Sequence, residues 1–360
     1  MKKNKEQTHI KSVLFYGNFG VPGEAVYDGQ RTKARNVTEE VQKRYKKLSF
    51  SFFNTNNYKK HPVLNFFKLL SAVRKVDSVF IYPGSSHSLS IILFAMWLSN
   101  KCKKSFYPVV GGFLGEYCKK HKFFCNRLKQ FAGIFCETNG LMKKMVDMNF
   151  SNVYLSPVFT KKQQEPFSSL EKLFPNDNAI KFCTFGRVCK EKGIKNAIET
   201  IALVRKKTGK DIYLDIYGKT FKKDNFEEEF YELLNRYKDF VTYKGPLPDN
   251  SFDILSSYHY MLFATYFYGE GFPACVLESY LFATPVIASN WRYNSEFVSD
   301  NTGYLFELND NSFEKTLIKA IDDIKLNYEK KKKAYEYAKQ FSPDYCLKPI
   351  FVILDKYTEE

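Results

Sequence analysis

Residues 268–279 read YGEGFPACVLES, and Glu270 and Glu278 flank a Gly-Phe-Pro step with seven residues between them. Carboxylates accept hydrogen bonds from hydroxyls, so two spaced this way can hold two separate diols. Pro273 suits the first position of a helix, where its missing N–H would be unbonded anyway. Thr284-Pro285 should end that helix, which places residues 274–283 on it. The free N–H groups and positive dipole end at 271–274 then form an anion site, with Gly271 leaving room for close approach of a ligand. Glu270 stands in the loop beside that anion, and Glu278 lies about one and a half turns into the helix. An anion between two diol-binding carboxylates matches a nucleotide-sugar. The plain alternative is an ordinary helix with a capping-region Glu270 and a solvated Glu278.

A second stretch, FGRVCKEKGIKNAI (185–198), ends a strand at Gly186 and opens a helix near Gly193. Arg187 and Lys192 bracket the turn, one a planar fork for phosphate oxygens and the other a mobile point charge. A surface ion pair between Arg187 and Glu191 is the alternative.

These loops need elements to position them. Short β-rich runs recur as KSVLFYG (11–17), DSVFIYPG (77–84), KSFYPVVGG (104–112), AIKFCTFGR (179–187), DIYLDIYGK (211–219), FVTYKGPLP (240–248), YMLFATY (260–266) and PVIAS (285–289). Helical patterns lie between most of them: one from about Gln30 to Lys46, one through Trp97, and IKNAIETIALVRKK (194–207) with apolar positions at i, i+3, i+4 and i+7 spacing. Strands alternating with helices imply an α/β chain with parallel sheets covered on both faces. The polar, proline-bearing segment 156–178 reads as the break between two α/β domains, 1–160 and 161–340. Residues 341–360 are expected to form a last helix that returns to the first domain, and a ligand is expected between the two halves at strand C-terminal ends.

The charge is divided unevenly. Residues 1–160 hold 26 Lys and Arg against 9 Asp and Glu, whereas the remaining residues hold 29 against 30. Aromatics interleave the basic half, as in KKLSFSFFNTNNYKKHPVLNFFKLL (46–70) and EYCKKHKFFCNRLKQF (116–131). Such a face attracts phosphate-rich partners, among them anionic lipid, nucleic acid or a pyrophosphate-linked substrate; a merely solvated basic surface is the alternative. No apolar run reaches the ~20 residues that cross a bilayer, and the apolar stretch at the N-terminus is too short for a signal peptide. Eight cysteines without metal-ligand spacing suggest reduced thiols and a cytoplasmic setting.

In the first half, YGNFGVPGEAVYDGQRTKARNV (16–37) carries Gly17, Gly20, Gly23 and Gly29, without the G-x-G-x-x-G spacing of a dinucleotide loop. Arg31, Lys33 and Arg35 fall near a helix start, where positive charge opposes the dipole unless a phosphate binds. This loop, with Gly20, Gly29 and Arg31, is expected to face donor or acceptor across the cleft, and Gly111-Gly112 to line the acceptor side. His87 and His121 have no constellation around them and are expected to be structural or exposed.

Together these stretches resemble the nucleotide-binding half of family 4 glycosyltransferases, over roughly residues 180–310. A G-R-x-x-x-E-K-G turn is matched by Gly186, Arg187, Glu191, Lys192 and Gly193; an E-x-F-G/P-x-x-x-x-E signature is matched by Glu270, Phe272, Pro273 and Glu278. The loops SNWRYNSE (289–296) and Lys219-Thr220 depart from the usual pattern. The resemblance implies the GT-B architecture, two Rossmann-like parallel-sheet domains facing a central cleft. It implies a retaining transferase without cofactor or metal, whose Arg187 and Lys192, with Gly271, Phe272 and Pro273, hold the donor diphosphate. Glu270 would contact the donor sugar as the catalytic residue, Glu278 would bind the ribose, and Gly245, Pro246 and Leu247 would lie near the base. The implied partners are a nucleotide-sugar donor and a glycan or polyprenyl-linked acceptor of cell-surface polysaccharide synthesis. The basic half would dock peripherally on the inner face of an anionic membrane, and no nucleic acid is expected. Two alternatives remain at this stage, a nucleotide-sugar epimerase of the same fold and a basic nucleic-acid-binding protein.

Overall fold

The structure is a computed structural model and describes residues 9–20, 29–56, 58–176, 178–220, 226–248, 251–309 and 311–358. Gly23 and the first eight residues lie outside the described set. The chain divides into two compact units, residues 1–159 with 343–360, and residues 160–342.

In the first unit the elements run β1 (Ser12–Gly17), α1 (Gly29–Arg44), β2 (Ser49–Asn54), α2 (Pro62–Arg74), β3 (Ser78–Tyr82), α3 (Ser86–Leu98), β4 (Phe106–Pro108), α4 (Leu114–Lys120), α5 (Lys122–Leu128), β5 (Gly133–Cys136), α6 (Asn139–Asp147) and β6 (Val153–Leu155). Six parallel strands stand in the order β2-β1-β3-β4-β5-β6. The interior strands are apolar along their length because helices cover both faces: SVFIY in β3 and GIFC in β5 are buried throughout. Parallel register sets Phe15 beside Phe80 and Phe80 beside Phe106, and the Phe80 and Phe106 rings stack at 4.6 Å.

In the second unit α7 (Phe167–Glu171) precedes β7 (Ile180–Phe185), α8 (Ile194–Thr208), β8 (Ile212–Tyr217), α9 (Phe226–Arg236), β9 (Val241–Gly245), β10 (Tyr260–Phe263), α10 (Ala274–Leu281), β11 (Val286–Ser289), β12 (Gly303–Phe306), α11 (Ser312–Asp322) and α12 (Asn327–Ala338). Its parallel sheet is ordered β12-β11-β10-β7-β8-β9. The apolar stripe of α8 (Ile194, Ala197, Ile198, Ile201, Val204) packs with Phe182, Leu214 and Leu262 into one core. The final helix, α13 (Pro343–Asp355), belongs to the first unit. There Asp355 accepts from Arg44 at 3.3 Å and from the Tyr45 hydroxyl, and Cys346 O accepts from Ser156 Oγ at 2.7 Å.

Two differences from the sequence reading have local causes. The helix after Gly-Phe-Pro begins at Ala274, with Pro273 one position earlier at the N-cap (φ −71°, ψ 120°), because its ψ is extended rather than helical. The same helix stops at Leu281, before Pro285 is reached, since Ala283 turns left-handed at φ 53°. Strands β2, β5, β6 and β12 are additional to the runs read as strands; three are only three or four residues long, and β2 is an edge strand half open to solvent.

The order of the second sheet reverses between β7 and β10. Its chain moves outward through β8 and β9, then returns to the other side of β7. Loops leaving two such neighbouring strands enclose the usual ligand crevice of an open α/β sheet. The loop after β7 reaches that after β10 through Gly193, whose φ is 70° and whose added Cβ would stand 2.0 Å from Ala264 O. Gly209, at the end of α8, has a similar φ of 64° with open space around it. Gly193→Ala should therefore destabilise the protein by roughly 2 kcal/mol or more, and Gly209→Ala by about 1 kcal/mol. Urea midpoints compare the two, and equal losses would show that backbone crowding at 193 is not a constraint.

Candidate functional site

The two loops meet in an ion pair. Lys192 Nζ lies 2.7 Å from Glu270 Oε2, with 14% and 9% of the side chains exposed. Residues 78 positions apart in sequence are brought together because β7 and β10 are neighbours. The same Glu270 oxygen accepts from Thr265 Oγ1 at 2.9 Å. Thr265 also caps its own turn, receiving Phe267 N–H at 3.2 Å. Glu270 N–H donates to Phe267 O at 3.1 Å. Backbone closes the gap on the other side, where Tyr266 N–H donates to Glu191 O at 2.9 Å. Glu191 thus serves the site through its carbonyl.

Arg187 and Lys192 both lie near the Phe267 ring. The guanidinium carbon is 5.1 Å from the centre of the Phe267 ring, and the ammonium is 5.3 Å from the rings of Phe267 and Phe263. The ring quadrupole attracts each cation. The loop after β11 locks this arrangement, since Trp291 Nε1 donates to Phe267 O at 2.8 Å and Ser289 Oγ to Thr265 O at 2.5 Å. Asn294 Nδ2 in turn donates to Ser289 O at 3.0 Å. The departing SNWRYNSE segment therefore builds a brace for the β10 loop.

At the helix that follows, Phe272 is anchored rather than presented. Its ring stacks on Phe297 at 3.7 Å and 3°, and meets Phe341 edge-on at 5.1 Å. Only its backbone can serve a ligand, and Pro273 has no N–H at all, so the donors at this end come from Gly271, Phe272 and the first turn of α10. Cys275 reports the local field: burial pushes its thiol up to about 12, with Lys192 pulling down and Glu270 and Glu278 pushing up. Both glutamates and the lysine therefore act on one spot at the start of α10, where Glu278 is half-buried.

Elsewhere in this unit, Gly245 ends β9 with φ 73°, and its carbonyl accepts from Gly218 N–H at 2.8 Å. A Cβ at Gly218 would stand 1.7 Å from Gly186 O, so the ends of β7, β8 and β9 are drawn together by backbone contact. Pro246 is exposed beside a buried Leu247. Lys219, in the other departing loop, accepts from Val188 N–H at 3.0 Å through its carbonyl.

The first unit places Gly20, Gly29 and Arg31 after β1, at the reversal of its own sheet between β1 and β3, and Gly111-Gly112 after β4. Gly20 (φ 70°) receives Asn54 Nδ2 on its carbonyl at 2.8 Å, and Gly29 begins α1. Arg31 is half-buried, and its Nε makes no hydrogen bond among the described residues. Lys33 is not the solvent-facing cation expected near a phosphate: it is buried, 2.8 Å from Glu137 and 2.7 Å from Val109 O. The second Glu137 oxygen accepts Gly111 N–H at 3.1 Å, which fixes the Gly111-Gly112 turn after β4. Arg35 Nε donates to Phe19 O at 2.7 Å. His87 and His121 are exposed, His121 against the Tyr117 ring at 4.6 Å. Among the described residues no group of three His, Cys, Asp or Glu could hold a metal ion.

Sequence reasoning missed Thr265, Phe267, Ser289, Trp291 and Glu137. A signal existed for the first: Thr two residues before an aromatic, just beyond a strand, is a side-chain turn pattern. The run YMLFATY hid it by looking like one long strand, whereas β10 stops at Phe263. Because Lys192 and Glu270 are mostly buried, removing one partner should cost more than removing both. Lys192→Met is expected to lower stability by about 3 kcal/mol, and Lys192→Met/Glu270→Gln to come back within about 1 kcal/mol of the native chain. Urea unfolding of both variants tests this, and additive losses would contradict the pairing.

Residues 168–341 match the family model described as glycosyl transferases group 1. No curated protein sequence matches the chain significantly. Among solved structures, HepE of Anabaena in complex with UDP aligns over 96% of this chain and 100% of its own, with TM-score 0.72 and 13% identity. The lipopolysaccharide outer core galactosyltransferase WaaB, in its apo form, aligns over 96% and 98% with TM-score 0.69 and 15% identity. Sucrose-phosphate synthase of Thermosynechococcus elongatus aligns over 95% and 98% with TM-score 0.73 and 14% identity. These likenesses span the two sheets and establish the fold, while the family model falls on the unit that holds Lys192 and Glu270. The chain has the GT-B fold, and its residues 168–341 are similar to the group 1 glycosyl transferases.

Proposed function

We propose that the chain is a retaining, metal-independent glycosyltransferase of the family 4 kind, moving a sugar from a nucleotide diphosphate to a glycan or polyprenyl-linked acceptor in cell-surface polysaccharide synthesis. It works on the cytoplasmic side, in peripheral contact with an anionic membrane. The observation that carries the reading is the Lys192–Glu270 contact at 2.7 Å beside Arg187, at the reversal point of the second sheet. HepE has been seen with UDP-glucose and WaaB is a galactosyltransferase, which favours a UDP-linked hexose as donor.

The roles follow from the chemistry of each group. Among the described residues Glu270 is the single acceptor that Lys192 Nζ reaches, so two ammonium hydrogens remain for phosphate oxygens. Arg187 offers its fork to the same diphosphate, with backbone N–H groups at Gly271 and Phe272 completing the cradle. As the bond from the anomeric carbon to the diphosphate oxygen breaks, charge grows on that oxygen, where these preorganised groups stabilise it. The acceptor hydroxyl oxygen bonds to the same face of the carbon, and its proton leaves with the diphosphate. Glu270 holds Lys192 and Thr265 through Oε2, while Oε1 carries no hydrogen bond from the described residues and is left for donor-sugar hydroxyls. Glu278 binds the ribose, and Gly245, Pro246 and Leu247 lie beside the base.

A thermal-shift screen with UDP-, GDP- and ADP-linked sugars tests this directly. At least one donor should stabilise the chain, by about 2.7 kcal/mol when present at a hundred times its Kd. Arg187→Ala should weaken that shift, and Glu270→Gln should keep the shift while lowering transfer by about a hundredfold or more. No shift with any donor would remove the proposal.

A further inference from the structure

Three helices of the first unit, α2, α3 and α5, share an unusual surface. α2 packs on α3, and α3 on α5. Their outward side chains are apolar: Val63 is 71% exposed, Phe67 62%, Phe123 44% and Trp97 41%. The rings form a continuous line across the helices. Phe66 stacks on Phe94 at 5.9 Å, Phe94 meets Trp97 at 5.6 Å, and Trp97 meets Phe123 edge-on at 5.3 Å. α3 carries no Asp, Glu, Lys or Arg, and its C-terminal half is apolar on the outer side (Phe94, Trp97, Leu98) as well as the inner. A helix of that kind normally lies in a core or in lipid.

Charge on these three helices has one sign, and the one carboxylate of neighbouring α4, Glu116, lies 3.9 Å from Lys144 Nζ. α2, α3 and α5 contain no Asp or Glu. Between Glu40 and Glu116 the single carboxylate is Asp77, and it is engaged by Lys11 N–H at 2.9 Å and by Ser12 N–H and Oγ at 3.0 and 2.9 Å. Lys68, Arg74, Lys119, Lys120 and Lys122 are exposed on these helices and on α4 beside them.

We infer that the face made by α2, α3 and α5 docks on the surface of an anionic phospholipid bilayer. The inference rests on the peripheral-membrane part of the proposed function and on none of its chemistry. Rings and aliphatic tips enter the headgroup boundary, and the lysines around them meet lipid phosphates, each adding about 1 kcal/mol near such a surface. No helix among the described residues is long and apolar enough to cross the bilayer, so this face rests on the membrane rather than spanning it. A second copy of the chain is a poor occupant, because it would bring the same positive charge to the contact. Nucleic acid would satisfy the charge but would leave Val63, Leu64 and Leu98, which offer no ring for bases to stack on, against water.

The full chain should sediment with phosphatidylcholine vesicles containing about a third phosphatidylglycerol, and less with phosphatidylcholine alone or at high salt. Phe67→Ser/Trp97→Ser should weaken partition about tenfold or more, and Lys119→Glu/Lys120→Glu about tenfold. In the unmodified chain, lipids brominated on the acyl chain should quench tryptophan emission, and Trp97→Phe should remove that quenching. Binding that persists in Phe67→Ser/Trp97→Ser, or emission untouched by brominated lipid in bound chain, overturns this face while sparing charge-driven membrane contact. No vesicle binding at all overturns both. Oligonucleotide binding stronger than vesicle binding, or a dimer broken by the ring variants without vesicle binding, also overturns it. None of these readouts depends on donor binding or transfer.

Discussion

Much of the second unit's design follows from holding one ammonium against one carboxylate in a place largely withdrawn from water. Taking Lys192 and Glu270 out of solvent carries a desolvation penalty that only close geometry and further hydrogen bonds offset. Thr265 supplies one such bond, and the rings of Phe263 and Phe267 supply a second kind of contact for the cation. The surroundings then have to keep those partners still. Trp291, Ser289 and Asn294 do so from the next strand's loop, and Gly193 does so from beneath by letting backbone touch backbone. A site built this way is rigid before any ligand arrives, which is what stabilising a developing charge requires.

Topology makes the pair available. A parallel sheet that adds strands in one direction keeps successive loops apart, whereas one that reverses sets two loops beside each other across the starting strand. In this unit the reversal joins β7 to β10, and the two stretches singled out by residue type are the loops those strands emit. The first unit reverses at β1 and β3, and Gly20 and Arg31 follow β1 there. The buried Lys33–Glu137 pair plays a comparable structural part there, since Glu137 fixes Gly111 through its backbone.

How far the sequence could be read depended on whether a feature was local. Strand–loop–helix alternation, the parallel sheets and the Gly186–Gly193 turn were legible because periodicity and glycine placement are short-range signals. Arg187, Lys192 and Glu270 were legible as charges at loop positions, but their mutual contact was not, since it depends on strand order. Phe267 and Trp291 were silent for the same reason: each acts through a neighbour distant in sequence. Lys33 was misread because helix position alone cannot show that a carboxylate from β5's end waits beside it. Pro273 was placed one residue too far in because composition does not fix ψ. β2 and β12 escaped notice, one as a half-exposed edge with serines between its rings and the other as only four residues.

The two halves of the charge distribution also have different physical meanings. The second unit is close to neutral, with 27 basic and 26 acidic residues between positions 160 and 342. An anion drawn to it therefore responds to local placement, at the start of α10 and beside Phe267, rather than to the field of the whole unit. In the first unit the excess of positive charge is spread over lysines that flank exposed rings, and its few carboxylates are partly consumed inside the fold by Lys33, Ser12 and Tyr45 partners. Spread charge acts over a Debye length and suits a broad surface. Converged charge acts at contact distance and suits a single diphosphate. The same residue types are thus spread in one unit and gathered in the other, and the difference lies in what each lysine packs against.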